Sequence, residues 1–175
     1  MARTQRPGCD GGMMRGLIGK KKLALALSAV LVLGVSDAAL AACAMPKEKA
    51  ALEARVLQSE LMIAALSCNQ RPHYNAIVTK YKGEMADTGK TLKQYFTRVY
   101  GGKSAPELNG FVTRMANEAS QRSLAELNAF CGAAEQAFAH LMDSKASSFE
   151  EYAALQPSAG AHGVSVCQYT AAKTR

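Results

Sequence analysis

The sequence of 175 residues lacks the short motifs that mark several common classes of enzyme. It has no Cys-x-x-Cys pair, no Cys-x-x-Cys-His haem attachment motif and no Glu-x-x-His pair of the kind found in helical metal sites. It also has no dinucleotide fingerprint and no phosphate loop, since Gly101-Gly102-Lys103 follows a predicted helix rather than a strand. We therefore predict no catalytic, cofactor-binding or metal-binding residue and expect no cofactor.

The ionisable residues do not form an obvious active-site pattern either. His73, His140 and His162 are widely spaced, so each is interpreted as a surface or loop residue rather than a metal ligand. The acidic residues fall mostly on the polar faces of predicted helices, which favours solvated surfaces over a catalytic pair of carboxylates.

Residues 1–42 have the pattern of an export signal. Three lysines at positions 20–22 precede an apolar run at residues 23–35, and small residues follow it. The run is 13 residues long, whereas a helix that spans a bilayer needs roughly 20 apolar residues. A cleaved signal peptide is therefore favoured over a permanent membrane anchor. Met13 and Met14 are start sites as good as Met1.

The residues before Cys43 allow two interpretations. Residues 40–43 fit a lipobox, in which Cys43 would receive lipid, and residues 39–41 fit the small-x-small rule for ordinary cleavage. Ser36 and Asp37 form a polar spacer that favours ordinary cleavage, and an even number of cysteines after cleavage favours paired thiols. We predict a soluble periplasmic or secreted protein, with a lipoprotein anchored through Cys43 as the alternative.

The basic character of the chain resides mainly in its leader. Six of the 21 basic and two of the 14 acidic residues precede Cys43, which leaves 15 and 12 and a net charge of +3. This ordinary charge predicts no nucleic acid partner. A basic set at Lys80, Lys82, Lys90 and Lys93 is interpreted first as a solvated face, with contact to an anionic lipid or an envelope protein as the alternative.

Apolar residues recur at helical spacing through most of the chain after Cys43, which predicts an all-α fold. The first helix should run from Pro46 to about Cys68 and carry two apolar stripes, one at residues 52, 56, 63 and 66 and one at residues 57, 61 and 64. The second should extend from His73 to Tyr100. Because Gly83 and Gly89 lie within it, we expect a bend or break in residues 82–90.

Three Ser-x-x-Glu capping boxes indicate further helices that begin near Ser104, Ser123 and Ser147, the last of them short. Four main helices and a short fifth with brief connections are typical of a small antiparallel bundle. The predicted bundle domain covers residues 43–156. Residues 157–175 have no helical pattern and are predicted to form an irregular tail pinned by Cys167.

The four remaining cysteines, Cys43, Cys68, Cys131 and Cys167, predict two disulfides. A helix of 23 residues separates its ends by about 34 Å, whereas the Cα atoms of a disulfide lie within about 7 Å. Cys43 therefore cannot reach Cys68. Of the two remaining schemes we prefer Cys68 with Cys131 and Cys43 with Cys167, because an up-down bundle brings the first of these pairs to the same end.

A polar groove is the one candidate site on the surface of the predicted bundle. Small residues surround Asn117, Glu118, Arg122 and Asn128 at a predicted helix junction. They are our candidate residues for such a groove.

Three segments, "ELMIAALSCNQRPHYNAIVTKYKGEM", "LKQYFTRVYGG" and "LNGFVTRMANEASQRSLAELNAFC", resemble a family of small exported alphaproteobacterial proteins of uncharacterised function. The resemblance covers roughly residues 43–138. Some members bear the name S-adenosyl-L-homocysteine hydrolase, which implies a large NAD-dependent enzyme built on a parallel sheet. This chain has no strand-glycine-helix unit for NAD, so that name would be a misassignment here.

Two functional hypotheses follow. The favoured one is an exported envelope protein that binds a partner or ligand, or acts in assembly or structure, without catalysis. The alternative is a small periplasmic hydrolase with an unrecognised site. A groove with converging titratable groups would favour the hydrolase, and outward-facing charges would favour the binding protein.

Overall fold

Six α-helices account for most of the residues that the structure, a computed structural model, describes: residues 42–143, 145 and 148–168. The helices are α1 (Pro46–Ser67), α2 (Arg71–Lys80), α3 (Lys82–Tyr100), α4 (Ser104–Ala125), α5 (Leu127–Met142) and α6 (Phe149–Ala154), with 3₁₀ turns at Gly101–Lys103 and Ala159–His162. The predicted all-α, disulfide-stapled bundle is confirmed. Apart from Ala42, the predicted signal peptide lies outside the described residues.

The first helix, α1, is the centre of the bundle and contacts all five other α-helices. Leu57 and Leu61 are buried in a core shared with α2, α5 and α6, whereas Leu52 and Val56 are buried in a second core shared with α3 and α4. The prediction that this helix is covered on two sides is therefore correct. The apolar stripe predicted at residues 52, 56, 63 and 66 ends before Leu66, because that side chain is 54% exposed.

The predicted second helix is divided at Tyr81, so the bundle has one more main helix than expected. Gly83 and Gly89 lie inside α3, and the break precedes both of them. The Tyr81 side chain is buried, and its hydroxyl donates a 2.9 Å hydrogen bond to the Leu141 carbonyl at the end of α5. Its ring lies 5.6 Å from that of Phe149. The break coincides with these contacts to α5 and α6 rather than with the glycines.

The helix starts differ from the predicted capping boxes. No side chain caps α4, because the preceding 3₁₀ turn leads directly into it and the Ser104 N–H donates to the Gly101 carbonyl. Ser123 lies within α4, so the junction with α5 falls at Glu126 instead. The short helix α6 is capped by Ser148 with Glu151, one residue later than predicted.

The predicted irregular tail is more ordered than expected. Its 3₁₀ turn, Ala159–His162, packs against α1, and His162 is buried. Beyond the turn, the Ala44 N–H donates to the Ser165 carbonyl at 2.8 Å, and the Cys167 N–H donates to the Ala44 carbonyl at 2.9 Å. Hydrophobic periodicity could not predict that residues 165–167 are ordered, because their order arises from backbone hydrogen bonds with Ala44.

Candidate functional site

A groove of about 680 Å³ lies between α1, the α4–α5 junction and the tail. Its lining consists of Leu57, Glu60, Leu61, Arg122, Ala125, Glu126, Ala129, Phe130, Ala133, Ala134, Ala137, Gln156, Pro157, Ser158 and Ala161. Most of these side chains are apolar, and the volume is within the range typical of ligand sites in proteins. The groove can therefore accept an apolar group.

Small side chains on α5 make room for the groove. Ala129, Ala133 and Ala137 recur at intervals of four residues, which places them on one helix face. Ala129 and Ala133 are exposed, whereas Ala137 is buried against α1 and α2. Phe130 supplies the large aromatic surface of the lining.

Glu60 joins three elements at the polar part of the groove. One carboxylate oxygen accepts a hydrogen bond from Arg122 of α4, and the other accepts one from the Ser158 hydroxyl of the tail at 2.7 Å. The Glu60 side chain is 17% exposed, so solvent screens this ion pair only partly. The carboxylate thus connects α1, α4 and the tail.

Both disulfides connect walls of the groove. Cys68 at the end of α1 bonds to Cys131 on α5, and their Cα atoms are 5.7 Å apart. Cys43, just before α1, bonds to Cys167 of the tail, with Cα atoms 4.9 Å apart. These are the two pairs preferred from the sequence, and they hold α5 and the tail against α1.

Three exposed leucines adjoin the groove in sequence. Leu124 is 83% exposed and Leu127 is 49% exposed, and they flank the lining residues Ala125 and Glu126. Leu155 is 79% exposed and precedes the lining residue Gln156. Exposed apolar side chains next to an apolar depression are typical of a surface that binds a partner.

Only one residue predicted for the polar groove lines it. Arg122 does so, whereas Asn117, Glu118 and Asn128 are absent from its lining. Asn117 and Asn128 are exposed and Glu118 is half-buried. Helix α4 continues unbroken through residues 117–125, so Asn117 lies on a different face from Arg122 and Glu118 lies a full turn further from the junction with α5. Asn128 belongs to α5. Sequence reasoning missed Glu60 and Ser158, which no local pattern associates with Arg122.

Two lysines of the predicted basic set have polar partners within the bundle. The Lys80 ammonium donates 2.7 Å hydrogen bonds to the Leu141 and Asp143 carbonyls, so it caps the end of α5. Lys90 donates to Asp87 at 3.0 Å, and this hydrogen bond lowers the pKa of the Asp87 carboxyl. Lys82 and Lys93 are exposed on α3.

His162, at the end of the 3₁₀ turn of the tail, and Glu53 of α1 are both buried. The His162 Nδ1 accepts a 3.0 Å hydrogen bond from the Val164 N–H, which leaves the proton of the neutral ring on Nε2. Burial lowers the pKa of His162, and Glu53, which pairs with Lys49, opposes that shift. These groups lie outside the groove lining.

No protein-family model, curated protein or solved structure matches the chain. Within residues 42–143, 145 and 148–168, no helix is both long enough and apolar enough to cross a bilayer. The same residues contain no cluster of three histidine, cysteine, aspartate or glutamate side chains arranged to hold a metal ion.

Proposed function

We propose that the protein is an exported, non-catalytic binding protein of the bacterial envelope and that the groove receives an apolar segment of a partner protein. The observation that carries this proposal is the combination of an alanine-lined groove with three exposed leucines next to its lining residues in sequence. A small ligand held inside the groove would leave Leu124 and Leu155 in water. A protein segment would cover both the groove and these leucines.

The disulfides support an oxidising compartment, where such bonds form and persist. They also bear on the fate of Cys43. Its sulfur bonds to Cys167, so the same atom is not available for attachment of a lipid. This favours ordinary cleavage before residue 42 or 43 and a soluble periplasmic or secreted product over a lipoprotein.

The intact mass of the protein from its native envelope tests the proposed processing. We expect a chain that begins at Ala42 or Cys43, without acyl groups and with two disulfides. A mass increment of two or three acyl chains would contradict this proposal.

Site-specific photo-crosslinking tests the groove. A photoreactive residue replaces Ala133, which is exposed in the groove, or Ala139, which is exposed on the same helix outside it. In the native host we expect a discrete crosslinked protein, identified by mass spectrometry, from position 133 and not from position 139.

Leucine variants complete this test. The crosslink at position 133 should be lost in the double variant Leu124→Ser and Leu155→Ser. It should persist in the control Leu66→Ser, which changes an exposed leucine of α1 outside the groove lining. Equal crosslinking at both positions, or a crosslink indifferent to the double variant, would argue against the groove as the partner site.

One observation favours the alternative hydrolase. The Ser158 hydroxyl donates to a carboxylate, which is an arrangement of nucleophile and base. Glu60 and Arg122 also converge in the groove, as the hydrolase hypothesis expects of titratable groups, but both contacts of Glu60 connect structural elements. If the protein hydrolyses p-nitrophenyl acetate and Ser158→Ala abolishes the activity while the protein stays folded, the hydrolase is correct. We expect no activity that depends on Ser158.

A further inference from the structure

A second, smaller pocket of about 390 Å³ lies between α1, α3 and α4. Arg55 enters it from α1, with Leu92 from α3 and Leu108, Asn109 and Val112 from α4. On α1, Arg55 is about 200° around the helix from Leu57 of the groove. The pocket is therefore separate from the groove and independent of the function proposed for it.

Arg55 stands out because, among the residues that the structure describes, no acidic side chain forms an ion pair with it. Within the described part of the chain, its Nε is the one buried side-chain nitrogen or oxygen without a hydrogen bond. The ion pairs found there use Lys49, Lys90, Arg98 and Arg122 as their cations, and none uses Arg55. The Arg55 side chain is half-buried, and burial lowers its pKa, a shift that Tyr74 partly opposes. Removing part of a guanidinium from water without an anion beside it is unfavourable.

The lining of the pocket indicates which anion would fit. None of the described residues that line it is acidic, so none of them offsets the charge of Arg55. Asn109 and Thr113 provide polar groups, and Leu92, Leu108 and Val112 provide apolar walls. A guanidinium binds a carboxylate through two parallel hydrogen bonds, and apolar walls favour a hydrocarbon body over a fully hydrated anion such as phosphate.

We propose that this pocket binds a small organic carboxylate, whose charged group pairs with Arg55 and whose hydrocarbon part contacts Leu92, Leu108 and Val112. The carboxylate can belong to a free acid or to the C terminus of a polypeptide with an apolar last residue. Both sources present the same chemistry to the pocket.

Calorimetric titration of the mature, oxidised protein with isovalerate tests the proposal. We expect saturable binding at concentrations up to about 10 mM. Isovaleramide, which has the same shape without the charge, and inorganic phosphate, which has charge without hydrocarbon, should both bind at least about tenfold more weakly. No saturation by isovalerate, or equal binding of isovaleramide or phosphate, would overturn the proposal.

Two variants alter the pocket in different ways. Arg55→Met removes the charge and keeps the bulk, so the fold should persist and isovalerate binding should be lost. Gly89→Leu keeps Arg55 but places a side chain in open space at the pocket wall, which should also abolish binding. Gly83→Leu is the matched control, because that glycine of α3 is equally open and lies outside the pocket lining.

The proposal is wrong if Arg55→Met binds isovalerate as well as the unaltered protein does. It is also wrong if Gly83→Leu and Gly89→Leu reduce binding equally.

A short peptide that ends in leucine identifies the source of the carboxylate. Tighter binding of its free acid than of isovalerate, with loss on C-terminal amidation, indicates a polypeptide C terminus. Weaker binding than isovalerate indicates a free acid.

Discussion

The Ser158 hydroxyl donates a 2.7 Å hydrogen bond to the Glu60 carboxylate across 98 residues of sequence. Arg122 donates to the other oxygen of the same carboxylate from a third element. One side chain of α1 thus fixes both α4 and the tail at the groove. The shape of the groove depends on this connection as well as on apolar packing.

Replacement of Glu60 should loosen that connection. We expect Glu60→Ala to lower the free energy of unfolding by about 1 to 2 kcal/mol, because it removes two charge-assisted hydrogen bonds at a partly solvated site. Glu60→Gln should cost less, since its amide oxygen still accepts from Ser158. Urea denaturation measures both, with Glu118→Ala of α4 as the control. Equal effects of Glu60→Ala and Glu118→Ala would show that the connection contributes nothing.

The disulfides close long loops, with separations of 124 and 63 residues. We expect removal of Cys68 and Cys131 together, each as serine, to lower the free energy of unfolding by about 2 to 4 kcal/mol, since the unfolded chain gains entropy. Non-reducing peptide mapping should recover Cys43 linked to Cys167 and Cys68 linked to Cys131. A peptide that links Cys43 to Cys68 would contradict the structure of α1.

His162 should make stability depend on pH. Its pKa is lowered in the folded protein by burial, whereas in the unfolded chain it titrates near about 6.5. Above that pH the ring is neutral in both states and stability is greatest. As the pH falls below about 6.5, His162 binds a proton in the unfolded chain but stays neutral in the folded protein. The free energy of unfolding therefore falls until the pH reaches the lowered pKa of His162 in the folded protein.

The variant His162→Asn isolates this effect. An asparagine oxygen can accept a hydrogen bond from the N–H two residues later, as the imidazole does from Val164. Chemical denaturation between about pH 7 and pH 5 should show a smaller loss of stability for this variant. His73→Asn changes an exposed histidine and should behave like the unaltered protein. Identical pH profiles for all three proteins would exclude His162 as the cause.

Lys80 and Tyr81 both donate to the Leu141 carbonyl, at 2.7 Å and 2.9 Å. We expect Lys80→Met and Tyr81→Phe each to lower the free energy of unfolding by about 1 kcal/mol. The double variant should lose more than the sum, because only then does the carbonyl lose both donors. Lys82→Met, on the exposed face of α3, is the control. Simple additivity would mean that the two donors act independently.

Much of the fold could be predicted from hydrophobic periodicity. The first helix begins at Pro46 and ends one residue before the expected Cys68 because both ends carry local signals, a proline at the start and a polar segment after it. The break at Tyr81 could not be located in this way. Glycine lowers helix propensity by only about 1 kcal/mol, and the break lies where Tyr81 contacts α5 and α6 rather than at a glycine.

The candidate site was harder to predict than the fold. Arg122 was identified because it is a charged residue among small ones near a helix junction. Its partner Glu60 is 62 residues away, and Ser158 lies in a segment without any periodic signal. Arg55 likewise belongs to an ordinary helical sequence. That its Nε is buried without a hydrogen bond becomes visible only when α1 packs against α3 and α4.

The sequence by itself determined the all-α class, the two-sided packing of α1 and the exclusion of a Cys43–Cys68 bond. These follow from hydrophobic periodicity and helix length, which depend only on residues near one another in the sequence. The tertiary structure decided where the helices break, how the tail is ordered and which polar groups meet. Those outcomes depend on contacts between residues far apart in sequence, and such contacts form only when the helices pack.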